Sequence, residues 1–212
     1  MRAIKTAILL LASCVATTTA QADGPASGVV ELFTSQGCSS CPPADAAFNK
    51  VTSGGNYVTL AWHVDYWDYL GWKDTFSSPA ATARQARYAA HLGGGSYTPE
   101  FVLNGNQGSS RSSIISGGGL PVSVSISGGK ASIGAGSGSA NVILVNYSGA
   151  STVPITRGEN TGRKITYRHV VTGFRTIGEW NGKSLVLPAG SGGCAVLLQR
   201  KGQGEIIGAA NC

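Results

Sequence analysis

Charge is scarce in this 212-residue chain: Asp and Glu total 10, Lys and Arg 16, and together they make up 12% of it. The basic residues are scattered, with no run interleaved with aromatics, which argues against a nucleic-acid-binding surface. No apolar stretch is long enough to span a bilayer. Histidine is rarer still, at three, and none of His63, His91 and His169 pairs with another at zinc-finger spacing. What is abundant is glycine, at 31 residues. Much glycine and little charge suit an exported, turn-rich protein better than a coiled coil or a disordered tail.

The first 22 residues read as a secretory signal peptide. Arg2 and Lys5 precede an apolar run, Ala7 to Ala12, and small residues end at Ala20-Gln21-Ala22. A rival reading takes Leu11-Ala12-Ser13-Cys14 as a lipobox, with a lipid anchor on Cys14. Cleavage after Ala22 leaves Cys38, Cys41, Cys194 and Cys212, an even set that favours disulfides over zinc in an exported chain.

The rest divides into two halves of different pattern. From Val29 to about Ser116, strands and helices alternate. "VVELF" is a short buried strand; Ala44, Ala47, Phe48 and Val51 form an amphipathic helical stripe; Tyr57 to Val64 is a second strand. Ser78 caps a helix that has Pro79 at its first position and runs to about Leu92. "EFVLN" is a third strand, and a short helix is expected over about Ser109 to Ser116. After "SGGGL" (Ser116 to Leu120) about eight short strands follow with no helix, the pattern of a β-sandwich. The turn at Lys201 to Gly204 sets Cys194 opposite Cys212 across the last hairpin, close enough for a disulfide.

Cys38 and Cys41 fall between the first strand and the first helix, in "TSQGCSSCPPADAAF". The end of a helix that faces the preceding strand leaves amide N–H groups unpaired, and its dipole favours an anion such as a thiolate. A cysteine there is acidified and nucleophilic, and a second one a turn later can resolve a mixed disulfide. Pro42 and Pro43 lack N–H donors, which a first turn tolerates. By this reading Cys38 sits outermost and exposed and Cys41 is more covered. A zinc site, an inert structural disulfide, a redox pair and a soft-metal site are the readings open to the pair.

A proline at the head of the "EFVLN" strand follows Thr98. Joined with strand–CxxC–helix, Thr98-Pro99 resembles the thioredoxin superfamily over Val29 to about Ser116. That resemblance implies Cys38 as nucleophile, Cys41 as resolving thiol, a cis Thr98–Pro99 bond and a substrate segment paired with the Thr98 backbone. It implies no cofactor. Ser39-Ser40 matches no familiar subfamily dipeptide, and Gly37 stands where a Trp is common. The segments "VVELFTSQGCSSCPPAD", "LAWHVDYWDYLGWKD", "YTPEFVLNG", "RGENTGRKITYRHVV" and "EIIGAA" more closely resemble a secreted bacterial family, domain-of-unknown-function family 1223.

Two other segments carry chemistry. In "AWHVDYWDYLGW", Trp62, Tyr66, Trp67, Tyr69 and Trp72 either line a peptide groove or form a structural cluster. His63 and Asp65 share a strand face at the sheet edge where α/β sheets bind ligands, placed to relay a proton or ligate a metal. The polar "RGENTGR" (Arg157 to Arg163) is a charged loop or a contact with the first half.

The expected architecture is therefore an α/β thioredoxin-like domain over 23–118 followed by an all-β sandwich-like domain over 119–212. The expected activity is that of an exported, periplasmic or secreted thiol–disulfide oxidoreductase acting on protein or small-thiol disulfides. The alternatives are a Cu(I) carrier using Cys38, Cys41 and His63, and a non-catalytic binding module whose working part is the β-rich half.

Overall fold

The computed structural model describes residues 26–116 and 118–212. The signal peptide and the lipid-anchor reading of Cys14 lie outside the described residues.

The first strand, β1 (Val29–Thr34), is buried along its whole length and is flanked by β2 (Val58–His63), parallel, and β3 (Glu100–Leu103), antiparallel. A short β4 (Gln107–Ser109) completes a sheet of order β2-β1-β3-β4. Helix α1 (Pro42–Gly54) follows β1, and helix α2 (Pro79–Leu92) follows β2. Ser78 caps α2: its hydroxyl accepts from the Ala81 amide, and Pro79 takes the first turn, where no N–H is needed. The helix expected near Ser109 to Ser116 is instead β4 and one 3-10 turn, Ser112–Ile114. No described helix is long and apolar enough to cross a membrane.

The second half supplies nine strands: β5 (Val124–Ser127), β6 (Lys130–Ile133), β7 (Ala140–Tyr147), β8 (Ser151–Pro154), β9 (Lys164–Tyr167), β10 (Val171–Trp180), β11 (Leu185–Pro188), β12 (Cys194–Gln199) and β13 (Ile206–Asn211). They form three sheets, ordered β10-β7-β12-β13, β11-β6-β5 and β8-β9.

The two central strands, β7 and β12, explain how the halves join. A strand's side chains alternate between its faces. Val142 and Leu144 of β7, with Val196 and Leu198 of β12, face Val124, Ile133 and Trp180. Ile143 and Val145, with Ala195 and Leu197, face the other way and pack with Phe33, Leu60, Trp62 and the α2 residues Ala81 and Tyr88. These strands are buried on both faces and so read as unbroken apolar runs. A separate cluster, Val30, Leu32, Ala44, Phe48, Ala61, Phe101 and Leu103, seats α1 on the other face of the first sheet.

This overturns the expected α/β thioredoxin-like domain followed by a β-sandwich. Among the described residues, thirteen strands in four sheets and two α-helices make the fold mainly β. The physical reason is the shared core: one face of the first sheet is completed by β7, β12 and β13 as well as by α2. Local strand–helix alternation carries no trace of that partner.

The last hairpin follows the expected register. Ala195 pairs with Asn211 and Val196 with Ala210, and Cys194 and Cys212 just beyond are disulfide-bonded at a Cα–Cα distance of 5.2 Å. A bridge closing a loop of this size stabilises by about 3 kcal/mol.

Candidate functional site

β1 ends at Thr34 and a tight turn carries the chain to α1. The Cys38 amide donates to Ser35 O (3.2 Å), the Cys41 amide to Cys38 O (3.2 Å) and the Asp45 amide to Cys41 O (3.0 Å). Cys41 is the residue that caps α1, and Cys38 and Cys41 form a disulfide with Cα atoms 5.4 Å apart.

Both cysteines are fully buried, while Ser39 and Ser40 between them are exposed. The expectation that Cys38 is outermost and exposed is thus corrected. The cause is the loop Arg157 to Arg163, which comes from the second half. The Asn160 amide group donates to Gln36 O and Cys38 O, each at 2.9 Å, and the Ser39 amide donates to the Glu159 carboxylate at 3.3 Å. Asn160 is itself buried, and its Oδ1 has no partner among the described residues. At Gly158, φ is +74° and a Cβ would meet Trp72 Cβ at 3.1 Å, so the loop reaches its place only with glycine there.

Trp72 continues the same network. Its indole N–H donates to Gln36 Oε1 (2.9 Å), and the Gln36 amide donates to Asp74 Oδ2 (2.8 Å). Asp74 also accepts from the Phe76 amide (2.8 Å) and from His63 Nδ1 (2.6 Å). With Asp74 accepting at both oxygens, His63 Nδ1 is the donor, and its Nε2 is buried without a partner among the described residues.

The other expected site residues separate into two groups. Trp67 belongs to the site: its indole N–H donates to Thr98 Oγ1 (2.8 Å), and its Cβ stands 3.1 Å from where a Gly37 Cβ would be. Gly37 is therefore a residue of close approach, which is why no larger side chain precedes Cys38. The Thr98–Pro99 peptide is cis. Tyr69, Leu70 and Tyr97 expose apolar surface on the same two segments, Trp62 to Trp72 and Tyr97 to Pro99.

Trp62 and Asp65 belong elsewhere. Trp62, read as a groove residue, is 1% exposed in the core, edge-on to Phe174 and 4.8 Å below the Arg84 guanidinium. Strand alternation points it to the face opposite His63. Asp65 does not share a face with His63; it lies past the end of β2 and accepts from Thr82 Oγ1 of α2 at 2.5 Å.

Sequence reasoning missed Asp45, Asp74, Tyr167 and Asn160. Asp45 is the charged residue inside the apolar stripe of α1. Thr34 Oγ1 donates to its Oδ1 (2.8 Å), and Oδ2 is buried without a described partner. Burial pushes its carboxyl up to about 7; His63 and the Thr34 hydrogen bond oppose that rise, and Asp74 adds to it. Tyr167 stands edge-on to His63 with centroids 4.9 Å apart, and burial drives its phenol far above the ordinary range. No group of three or more His, Cys, Asp and Glu is gathered to hold a metal ion among the described residues.

The covering loop permits a direct check. Two hydrogen bonds at about 1 kcal/mol each correspond to roughly 30-fold in an opening equilibrium. Asn160→Ala is expected to speed reduction of the Cys38–Cys41 disulfide by dithiothreitol by tenfold or more. An unchanged stopped-flow rate shows that reagents reach the sulfurs by another route.

Fold and site together define a mainly β protein with a loop-covered CxxC disulfide where a central strand meets a helix. The chain belongs to the family described as "Protein of unknown function (DUF1223)", which matches residues 29–199. Protein AGR_C_4864 from Agrobacterium tumefaciens, solved by X-ray crystallography, is similar at 37% identity and a TM-score of 0.76, over 89% of this chain and 95% of that one. HBP35 of Porphyromonas gingivalis is similar in fold alone, at 13% identity and a TM-score of 0.56, over 90% of this chain and 76% of that one. No curated protein matches the chain.

Proposed function

We propose that this protein is an exported thiol–disulfide oxidoreductase in which Cys38 and Cys41 are the redox pair. The observation that carries the reading is the Cys38–Cys41 disulfide itself, set at the head of α1 with Cys41 as the cap. A bridge that spans three positions closes too small a loop to add much stability, so stability does not account for it. Its setting favours exchange: the helix dipole stabilises a thiolate at that end. Trp67, Thr98 and the exposed Tyr69, Leu70 and Tyr97 provide an apolar, partly polar rim for an extended substrate segment.

A substrate thiolate attacks Cys38 Sγ, the Cys38–Cys41 bond breaks, and the electron pair leaves on Cys41. A second substrate thiolate attacks the substrate sulfur of the mixed disulfide, and Cys38 leaves as thiolate. The substrate dithiol loses two electrons and the protein gains them. The reverse sequence reduces a substrate disulfide. The covering loop must open first, which restricts the chemistry to partners able to displace Asn160.

Trapping tests this. A Cys41→Ser variant in the cell envelope is expected to hold partner proteins through Cys38 as mixed disulfides that reductant releases. The wild-type pair is expected to equilibrate with glutathione redox buffers at a potential above about −300 mV. A pair that resists those buffers and traps nothing is an inert bridge, and the reading is then wrong.

A further inference from the structure

Glu100, the first residue of β3, is a buried carboxylate at 4% exposure. Strand alternation puts it on the face of Val102, which packs in the core that α2 completes. Gln85 of α2 holds one of its oxygens: Nε2 donates to Glu100 Oε2 at 2.7 Å and to Tyr97 O at 2.6 Å. Both N–H groups of Gln85 are thereby used, and no hydrogen bond among the described residues reaches Glu100 Oε1. The lack of a side chain at Gly108 leaves that oxygen uncovered, since a Cβ there would stand 3.1 Å from it. Glu31 on the neighbouring strand has Arg84 as its counter-charge, whereas no ion pair among the described residues includes Glu100. Burial raises the Glu100 carboxyl above its ordinary range; the Gln85 hydrogen bond opposes that rise and the Glu31 charge adds to it.

Glu100 and Gly108 line a cavity of about 160 Å³ with no Lys, Arg or His in its wall. Ala89 and Leu92 bring the end of α2 to it. The last carbonyls of a helix have no partner in a following turn, and the dipole is negative at that end, so a cation is favoured there. The Gly93 amide donates to Ala89 O at 3.1 Å, and Gly93 and Gly94, at φ +77° and +134°, turn the chain away without side chains to fill the space. Asn106 Nδ2 donates to Glu205 Oε1 at 3.3 Å, which leaves its own Oδ1 to accept.

We propose that this cavity binds a primary ammonium group, carried by a lysine side chain or a small alkylamine. It uses neither cysteine and does not rest on the redox reading. The volume suits one head group; drug-sized ligands take cavities of about 300 Å³ or more. A guanidinium pairs best with both oxygens of a carboxylate, and Gln85 already occupies Oε2. An ammonium is a point charge with three N–H donors, and Glu100 Oε1, Asn106 Oδ1 and the end of α2 offer it acceptors. One carboxylate balances one positive charge, and Ca²⁺ takes about six to eight oxygen ligands. Tyr97, 41% exposed, adds an aromatic ring to the wall.

The probe is n-butylamine, titrated at neutral pH and constant ionic strength into isotope-labelled protein and followed by amide shifts. Saturable shifts are expected at Gly93 to Gly95 and Gly108. Butylguanidinium is expected to bind about fivefold or more weakly, and tetramethylammonium, which has the charge but no N–H, to leave those amides unmoved. Glu100→Gln is expected to weaken butylamine binding by about tenfold or more. Should that variant fail to fold, Gly108→Ala keeps the carboxylate, crowds Oε1 and is expected to weaken binding instead. Shifts that do not saturate, that tetramethylammonium matches, or that persist unchanged in the folded variants overturn the proposal. A capped pentapeptide with one central lysine separates the two sources: tighter binding than butylamine assigns the site to a lysine of a protein, and binding no tighter assigns it to a free amine.

Discussion

Arg84→Met is expected to lower the unfolding free energy by about 3–5 kcal/mol, read from denaturant midpoints at unchanged slope. Arg84 sits on α2 at 1% exposure and Glu31 on the central strand β1 at 0%. Arg84 Nε donates to Glu31 Oε1 at 2.6 Å; Nη2 donates to Glu31 Oε2 at 3.0 Å, Tyr88 Oη at 3.0 Å and Gln199 Oε1 at 3.2 Å. Tyr88 in turn donates its hydroxyl proton to Glu31. The guanidinium also lies over the faces of Trp62 and Tyr88. Removing it leaves Glu31 charged in a dry site with one donor, which is costlier than losing a surface pair. Replacing both partners removes the stranded charge, so Glu31→Leu with Arg84→Met is expected to cost less than Arg84→Met alone. A double variant as unstable as the sum of both single variants would refute that account.

The second large effect is a pH dependence. Burial pushes the Asp45 carboxyl up to about 7 in the fold, from an ordinary value of 3.8, so over that interval the folded chain keeps a proton that the unfolded chain releases. Stability therefore falls as pH rises between those values and is level above them. The loss is on the order of 4 kcal/mol. Asparagine holds no such proton. Relative to wild type, Asp45→Asn is expected to gain on the order of 4 kcal/mol from about pH 4 to about pH 7, whatever fixed cost the substitution carries. Denaturant curves across that range check it, and parallel stability profiles would show that Asp45 ionises freely in the fold.

Much of the local architecture was legible in the residues. Ser78-Pro79 announced α2, the apolar stripe at Ala44, Phe48 and Val51 announced α1, and the turn at Lys201 to Gly204 placed Cys194 against Cys212. Each of these signals acts over a few residues or across one hairpin. The long β10 was not legible as one element: its alternation is broken by register shifts at Val171/Gly173 and Thr176/Gly178. Trp62 lies in the core because alternation along β2 turns it to the face opposite His63, and Asp65 leaves that face because β2 stops at His63.

By itself, the sequence determined the order strand, CxxC, helix, the capped second helix and the closing disulfide hairpin, because backbone preference and side-chain period are local properties. The tertiary structure alone decided that β7 and β12 complete the first sheet's core, that Asn160 covers a cysteine expected in the open, and that Tyr167 stands edge-on to His63. Those contacts join residues far apart in the chain, and only closing the chain into a common core brings them together.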